Sequence, residues 1–174
     1  MGKRLRVLHR LVTSEETLEV IVTSARALVQ KLSVQEETFP IFLKTGDLID
    51  QRELLAKLVA FGYKREYQVE HRGEVAIRGS IVDIWPSTSD SPVRVDLWGD
   101  EIERVCEFGV ADQRTKHSLD EVEIFPCREL ILKSEMLEKA TSMVDQQSWG
   151  SSEWERLADG ELFDGMESFM PWLL

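Results

Sequence analysis

The 174-residue chain carries 32 acidic against 21 basic side chains, a formal net charge of -11, and 43% hydrophobic residues. Length and hydrophobic content suit a globular chain with one sizeable core and room for part of a second. The acidic balance disfavours a primary nucleic-acid binder, because phosphate backbones reward clustered Lys and Arg.

No apolar run nears the ~18 residues that cross a bilayer, and no signal-peptide stretch follows Lys3, Arg4 and Arg6. Cys106 and Cys127 do not make a disulfide framework. A cytoplasmic address, reduced thiols and no membrane partner are therefore expected.

In chain order, Leu5, Leu8, Leu11 and Val12 recur at helical spacing among Lys3, Arg4, Arg6 and Arg10, which predicts an amphipathic helix. Val20-Ile21-Val22-Thr23 reads as a buried strand, and Ser24 as the cap of a helix running to about Leu32. A further strand is expected from Phe39 to Leu43. Helix, strand, helix is an α/β order that belongs to a larger parallel sheet, so residues 1–48 read as part of such a domain. Leu54, Leu55, Leu58 and Val59 then mark a helix from Asp50 to Ala60, with Gly62 as its stop.

From Tyr67 to Phe125 the period falls to two, with turn residues at Arg72-Gly73, Gly79-Ser80, Pro86 to Pro92 and Gly99-Asp100, which predicts an antiparallel meander. Gly79-Ser80 as a type II′ turn would set Arg78 opposite Ile81, Ile77 opposite Val82, Ala76 opposite Asp83 and Val75 opposite Ile84. One face then carries Val75, Ile77, Val82 and Ile84. The other carries Glu74, Arg78, Asp83 and Trp85 with Ala76 and Ile81. Matching aliphatics puts Arg94, Asp96 and Trp98 of the next strand on that second face.

Arg and Trp near acids suit a protein-binding hot spot. An ordinary solvated face with cross-strand pairs, Asp83 with Arg94 or Asp96 with Arg78, fits the pattern as well. In the fourth strand a Gly99-Asp100 turn aligns Ile102 with the core but brings Arg104 there too. Helices are expected near Glu135 to Gln146 and Ser152 to Ala158. The apolar tail of Phe163, Met166, Phe169, Met170, Trp172, Leu173 and Leu174 reads as a surface lacking its packing partner.

Catalytic signatures are missing: there is no phosphate loop, G-x-G-x-x-G, H-E-x-x-H or G-x-S-x-G. His9, His71 and His117 lie in different regions and neither cysteine has a near neighbour, so no zinc site is expected. The acidic pairs Asp100-Glu101 and Asp159 with Glu161 suit a turn and a helix end better than acid/base chemistry. Trp149, Trp154 and Trp172 suit packing better than base stacking. No catalytic residue, metal or cofactor is expected.

The segments LVAFGYKREYQVEHRGEVAIRGSIVDIWP and PVRVDLWGDEIERV resemble the homology module shared by the excision-repair protein UvrB and the transcription-repair coupling factors. FGVADQRT, EVEIFPCRELIL and GMESFMPWLL are closer to the coupling factors, and EVIVTSARALVQKL resembles the strand and helix preceding the module. The resemblance implies an α+β fold. It divides the chain into a partial helicase-like α/β segment over 1–48, an antiparallel sheet domain with a packed helix over 49–128, and a helical return segment of the α/β domain, truncated, over 129–174.

It further implies a non-enzymatic module that recruits UvrA to stalled transcription, alongside other domains of its parent factor and with weak or no direct nucleic-acid contact. The residues it implicates in docking UvrA are Arg78, Arg94 and Trp98, all on the face derived from strand alternation, with Asp83, Asp96 and Trp85 as possible support. Trp98 occupies a position that is usually Phe in the family. The alternative is a fragment of an ATP-dependent DNA translocase or nuclease, favoured only by the helicase-like flanks.

Overall fold

The computed structural model of the chain describes residues 2–13, 20–29 and 39–174. Helix α1 (Gly2–Thr13) forms as its spacing predicts, but only its first two turns are packed: Leu5 is buried and His9 meets the Phe39 and Phe125 rings, while Leu11 and Val12 face outward. Two of its basic side chains bond to the rest of the chain, while Lys3 and Arg10 stay exposed. Arg4 Nε lies 3.0 Å from Glu129 Oε1, and Arg6 Nη2 donates to Thr88 Oγ1 at 3.0 Å.

The strand expected at Val20–Thr23 is not formed. Residues 20–24 join no sheet, and Val20, Ile21 and Val22 are exposed. An apolar run of that kind becomes a buried strand only between neighbouring strands, and among the described residues none lies alongside it. Ser24 does cap the helix that follows, α2 (Ala25–Leu28), by accepting from Ala27 N. Val29 is the C-cap of α2, and residues 30–32 of that expected helix lie outside the described residues.

Strand β1 (Ile41–Lys44) leads to α3 (Gln51–Ala60), whose start is fixed by Asp50 Oδ1 accepting from Arg52 N and Glu53 N at 2.7 and 3.0 Å. Those bonds hold the exposed Asp50 carboxyl below its usual range. The helix ends where the bonds Gly62 N to Val59 O and Tyr63 N to Leu58 O close a Schellman motif around a left-handed Gly62, φ +86°. Leu54 and Leu58 face the sheet's core, and Val59 points out.

The main sheet has six strands in sequence order: β2 (Lys64–Arg65), β3 (Glu74–Arg78), β4 (Ile81–Ile84), β5 (Val93–Trp98), β6 (Glu101–Phe108) and β7 (Thr115–Leu119). β2 is parallel to β3 and all other neighbours are antiparallel, which makes the chain α+β. The register of β3 and β4 is the one that a Gly79-Ser80 turn dictates: Arg78↔Ile81, Ile77↔Val82, Ala76↔Asp83, Val75↔Ile84.

The meander stops one strand earlier than its alternation suggests. β8 (Glu121–Ile124) leaves β7 after Asp120 and pairs with β1 in a separate ribbon. Alternation assigns a strand its faces but not its neighbour. Leu43 and Ile124 carry that ribbon into the core formed by Leu54, Leu58, Val75, Val82, Ile84, Val93, Val95, Ile102 and Val105.

Beyond it, α4 (Ser134–Gln146), α5 (Ser151–Ala158), a 3-10 turn (Met166–Phe169) and α6 (Met170–Leu173) enclose a second core. Here the unpartnered tail expected from sequence is corrected. Phe163, Met166, Met170 and Leu173 are buried against Leu130, Met136, Ala140, Trp154 and Leu157. Arg128 links the two cores, its Nη1 donating to Phe163 O at 2.9 Å. No helix among the described residues is long and apolar enough to cross a membrane.

Candidate functional site

The non-core face of β3 to β6 is built in rows that follow from register. Counting from the turn end, the first row holds Trp98 and Glu101. The second holds Arg78, Ile81, Asp96 and Arg104, and the third Ala76, Asp83, Arg94 and Cys106. The structure therefore brings Arg78, Asp83, Arg94, Asp96 and Trp98 onto one surface, as alternation requires.

Trp85 shares that face but belongs to the fourth row, about 20 Å from Trp98's row at ~3.4 Å per residue. It packs against Val69, Ala76 and Phe108 and donates Nε1–H to Ser89 O. It stabilises the sheet at the far end and does not adjoin Trp98.

Depth divides these residues in a way that alternation cannot. The Asp83 side chain is 0% exposed and lies between two arginines. Arg94 holds it with a fork, Nε to Oδ1 at 2.7 Å and Nη2 to Oδ2 at 2.9 Å, while Arg78 Nη2 reaches Oδ2 at 2.6 Å. Bidentate, charge-assisted bonds are among the strongest available to a buried carboxylate.

The Arg94 guanidinium also sits 4.7 Å from the Phe108 ring centroid and donates from Nη1 to Gln113 O. Its bonds to Asp83 hold its pKa above the usual arginine value. With its side chain only 11% exposed, Arg94 does not face outward as its position suggested. Cys106 lies beneath it, donating Sγ–H to Arg94 O, and burial pushes that thiol's pKa up.

Arg78 differs. Its side chain is 34% exposed, and it adds a single bond to an Asp83 that already holds a two-bond fork with Arg94. The alternative pair Asp96 with Arg78 does not form, because Asp96 binds Arg104, whose Nε donates to Oδ2 at 2.9 Å and whose Nη2 contacts the same oxygen.

Arg104 reaches this face through a β-bulge. Register passes from Asp96↔Arg104 to Leu97↔Ile102, so Glu103 is the extra residue and both Ile102 and Val105 remain in the core. The bulge resolves the misfit that placed Arg104 among aliphatics. Trp98, at the end of β5, is 78% exposed.

Sequence reasoning missed Gln113. The loop between β6 and β7 folds back through Gln113 N to Gly109 O and Gly109 N to Arg114 O, with Gln113 left-handed at φ 57°. That conformation presents its carbonyl to Arg94 and its Oε1 to Arg78 Nη2 at 3.4 Å. Nothing in the sequence marks it, since a non-glycine residue with positive φ has no local signature. Among the described residues no group of acidic, His and Cys side chains is placed to hold a metal ion.

Comparison with known proteins bears on this face. Residues 41–130, which include every strand of the main sheet, match the model of the UvrB interaction domain. The chain is 36% identical over 190 aligned positions to the transcription-repair-coupling factor of Mycobacterium bovis, covering 98% of the chain and 15% of that protein. It is 33% identical to the factor of that name from Bacillus subtilis, covering 83% of the chain and 12% of the relative. To that of Staphylococcus aureus it is 34% identical over 79% of the chain and 12% of the relative. The chain thus spans about 15% of the length of the first curated relatives it matches.

Proposed function

Because this chain belongs to the UvrB interaction domain family, we propose that it is a protein-docking module of a transcription-repair coupling factor, recruiting UvrA so that excision repair reaches stalled transcription. The docking unit in this reading is the sheet domain over 49–128, with β1 completing its core, and the chain performs no catalysis of its own. The observation that carries it is the open part of the polar face toward the turn end: Trp98 is 78% exposed, and Arg78, in the next row and two strands over, is 34% exposed and bonded to an Asp83 that Arg94 also holds.

A rigid, exposed aromatic gives large contact area at low entropy cost, and an arginine gives charge-assisted hydrogen bonds. Arg94 serves by fixing Asp83, which in turn aims Arg78. Arg4 and Arg6, the strongest candidates for a DNA-binding patch, are occupied by Glu129 and Thr88, which favours a protein partner over nucleic acid. Co-elution of the purified chain with UvrA on a sizing column is the expected result. Separate elution at micromolar concentrations would refute the reading.

A further inference from the structure

The polar face continues past β6. Leu48, in the segment before α3, forms an isolated antiparallel bridge with Glu101, flanked by the bonds Ile49 N to Asp100 O at 2.7 Å and Ile102 N to Asp47 O at 2.9 Å. Glu101 pairs on its other side with Trp98. Residues directly opposite one another across antiparallel strands point to the same side, so Trp98, Glu101 and Leu48 form one row with the carboxylate in the middle.

Both apolar members are 78% exposed. Among the described residues the Glu101 carboxylate has no hydrogen bond or ion pair. The outer two lie two strand spacings apart, about 9.5 Å, which leaves room for one inserted side chain.

We infer that Leu48 and Glu101 belong to the docking face with Trp98, and that the partner inserts a basic side chain between Trp98 and Leu48 to meet Glu101. The chemistry is that of a cation with an aliphatic stem. The head takes the unpaired carboxylate, the stem lies along the indole face, and Leu48 covers the contact from water. One row away along β6, at ~6.8 Å, Arg104 presents the opposite charge, and Arg78 lies in that same row three strands over. The partner segment must therefore carry a base and an acid at matching separation, which makes the face selective as well as adhesive.

This inference rests on the proposed partner, and titration calorimetry with UvrA tests it on wild type, Leu48→Ala, Glu101→Gln and Glu101→Lys. All three variants alter exposed side chains, so their melting temperatures should match wild type. Glu101→Lys should weaken binding about tenfold or more, equivalent to about 1.4 kcal/mol. Glu101→Gln and Leu48→Ala should each cost roughly threefold to fivefold, and combining them should cost less than the product because both act on one inserted side chain.

Wild-type affinity in Leu48→Ala and Glu101→Lys, with loss in Trp98→Ala, would overturn the inference and end the contact at Trp98. Tighter binding by Glu101→Lys would also overturn it, showing an acidic partner surface at this point. Failure of wild type itself to bind would remove the functional reading and the inference together.

Discussion

Around Asp83 the polar face of the sheet is closed: a buried carboxylate, a forked arginine, a phenylalanine ring and a folded loop satisfy one another with little water contact. Toward the turn end it is open, with Trp98 78% and Arg104 52% exposed. Both regions come from the same strands and the same alternation. Parity decides which face a residue joins, whereas the loop over it and the bulge beside it decide whether it is buried within the fold or left exposed. Arg94 and Trp98 are four residues apart on one strand and stand on opposite sides of that division.

The sharpest way to break the comparison is Arg94→Ala. Removing the fork leaves a fully buried carboxylate with Arg78 alone, and breaking a buried pair from one side costs about 3 kcal/mol or more. Urea denaturation should show that loss, and a change below ~0.5 kcal/mol would place Arg94 in the open region. Arg78→Ala comes next. Because Asp83 keeps both bonds from Arg94, stability should fall by about 1 kcal/mol, while affinity for UvrA falls by about 2 kcal/mol or more.

Position 113 sharpens the boundary of the closed region. Gly adopts φ 57° without strain and keeps the carbonyl offered to Arg94, whereas Ala pays about 1 kcal/mol for a left-handed backbone. Gln113→Gly should therefore be more stable than Gln113→Ala by about 1 kcal/mol in thermal or urea unfolding, and the reverse order would show that the loop's left-handed backbone does not help to hold Arg94.

Much of this architecture was legible in the residues. A glycine that can open a type II′ turn set the β3–β4 register, and the aliphatic rows of Val82, Ile84, Val93 and Val95 fixed the core face. The same rules put Arg78, Arg94 and Trp98 on one side. Depth was not legible, because it depends on a loop whose key residue, Gln113, takes a conformation its side chain does not announce. The bulge at Glu103 was visible only as its symptom, an arginine falling among aliphatics.

Two apolar runs misled for opposite reasons. Val20 to Val22 has strand composition without a neighbouring strand among the described residues, while the tail from Phe163 to Leu173 has its packing partner in α4 and α5, elements earlier in the chain. Hydrophobic pattern reports what a segment can bury, and topology decides whether it does.

The smallest expected change in stability is the most informative about function. Trp98→Ala removes a side chain that is 78% exposed, so the melting temperature should stay within the range of ordinary surface substitutions, under ~0.5 kcal/mol. Titration of UvrA into wild type and Trp98→Ala at equal folded fraction should show a loss of about 2 kcal/mol in the variant, roughly thirtyfold in affinity. Equal affinity at equal stability would contradict the assignment of the open end of this face to partner docking.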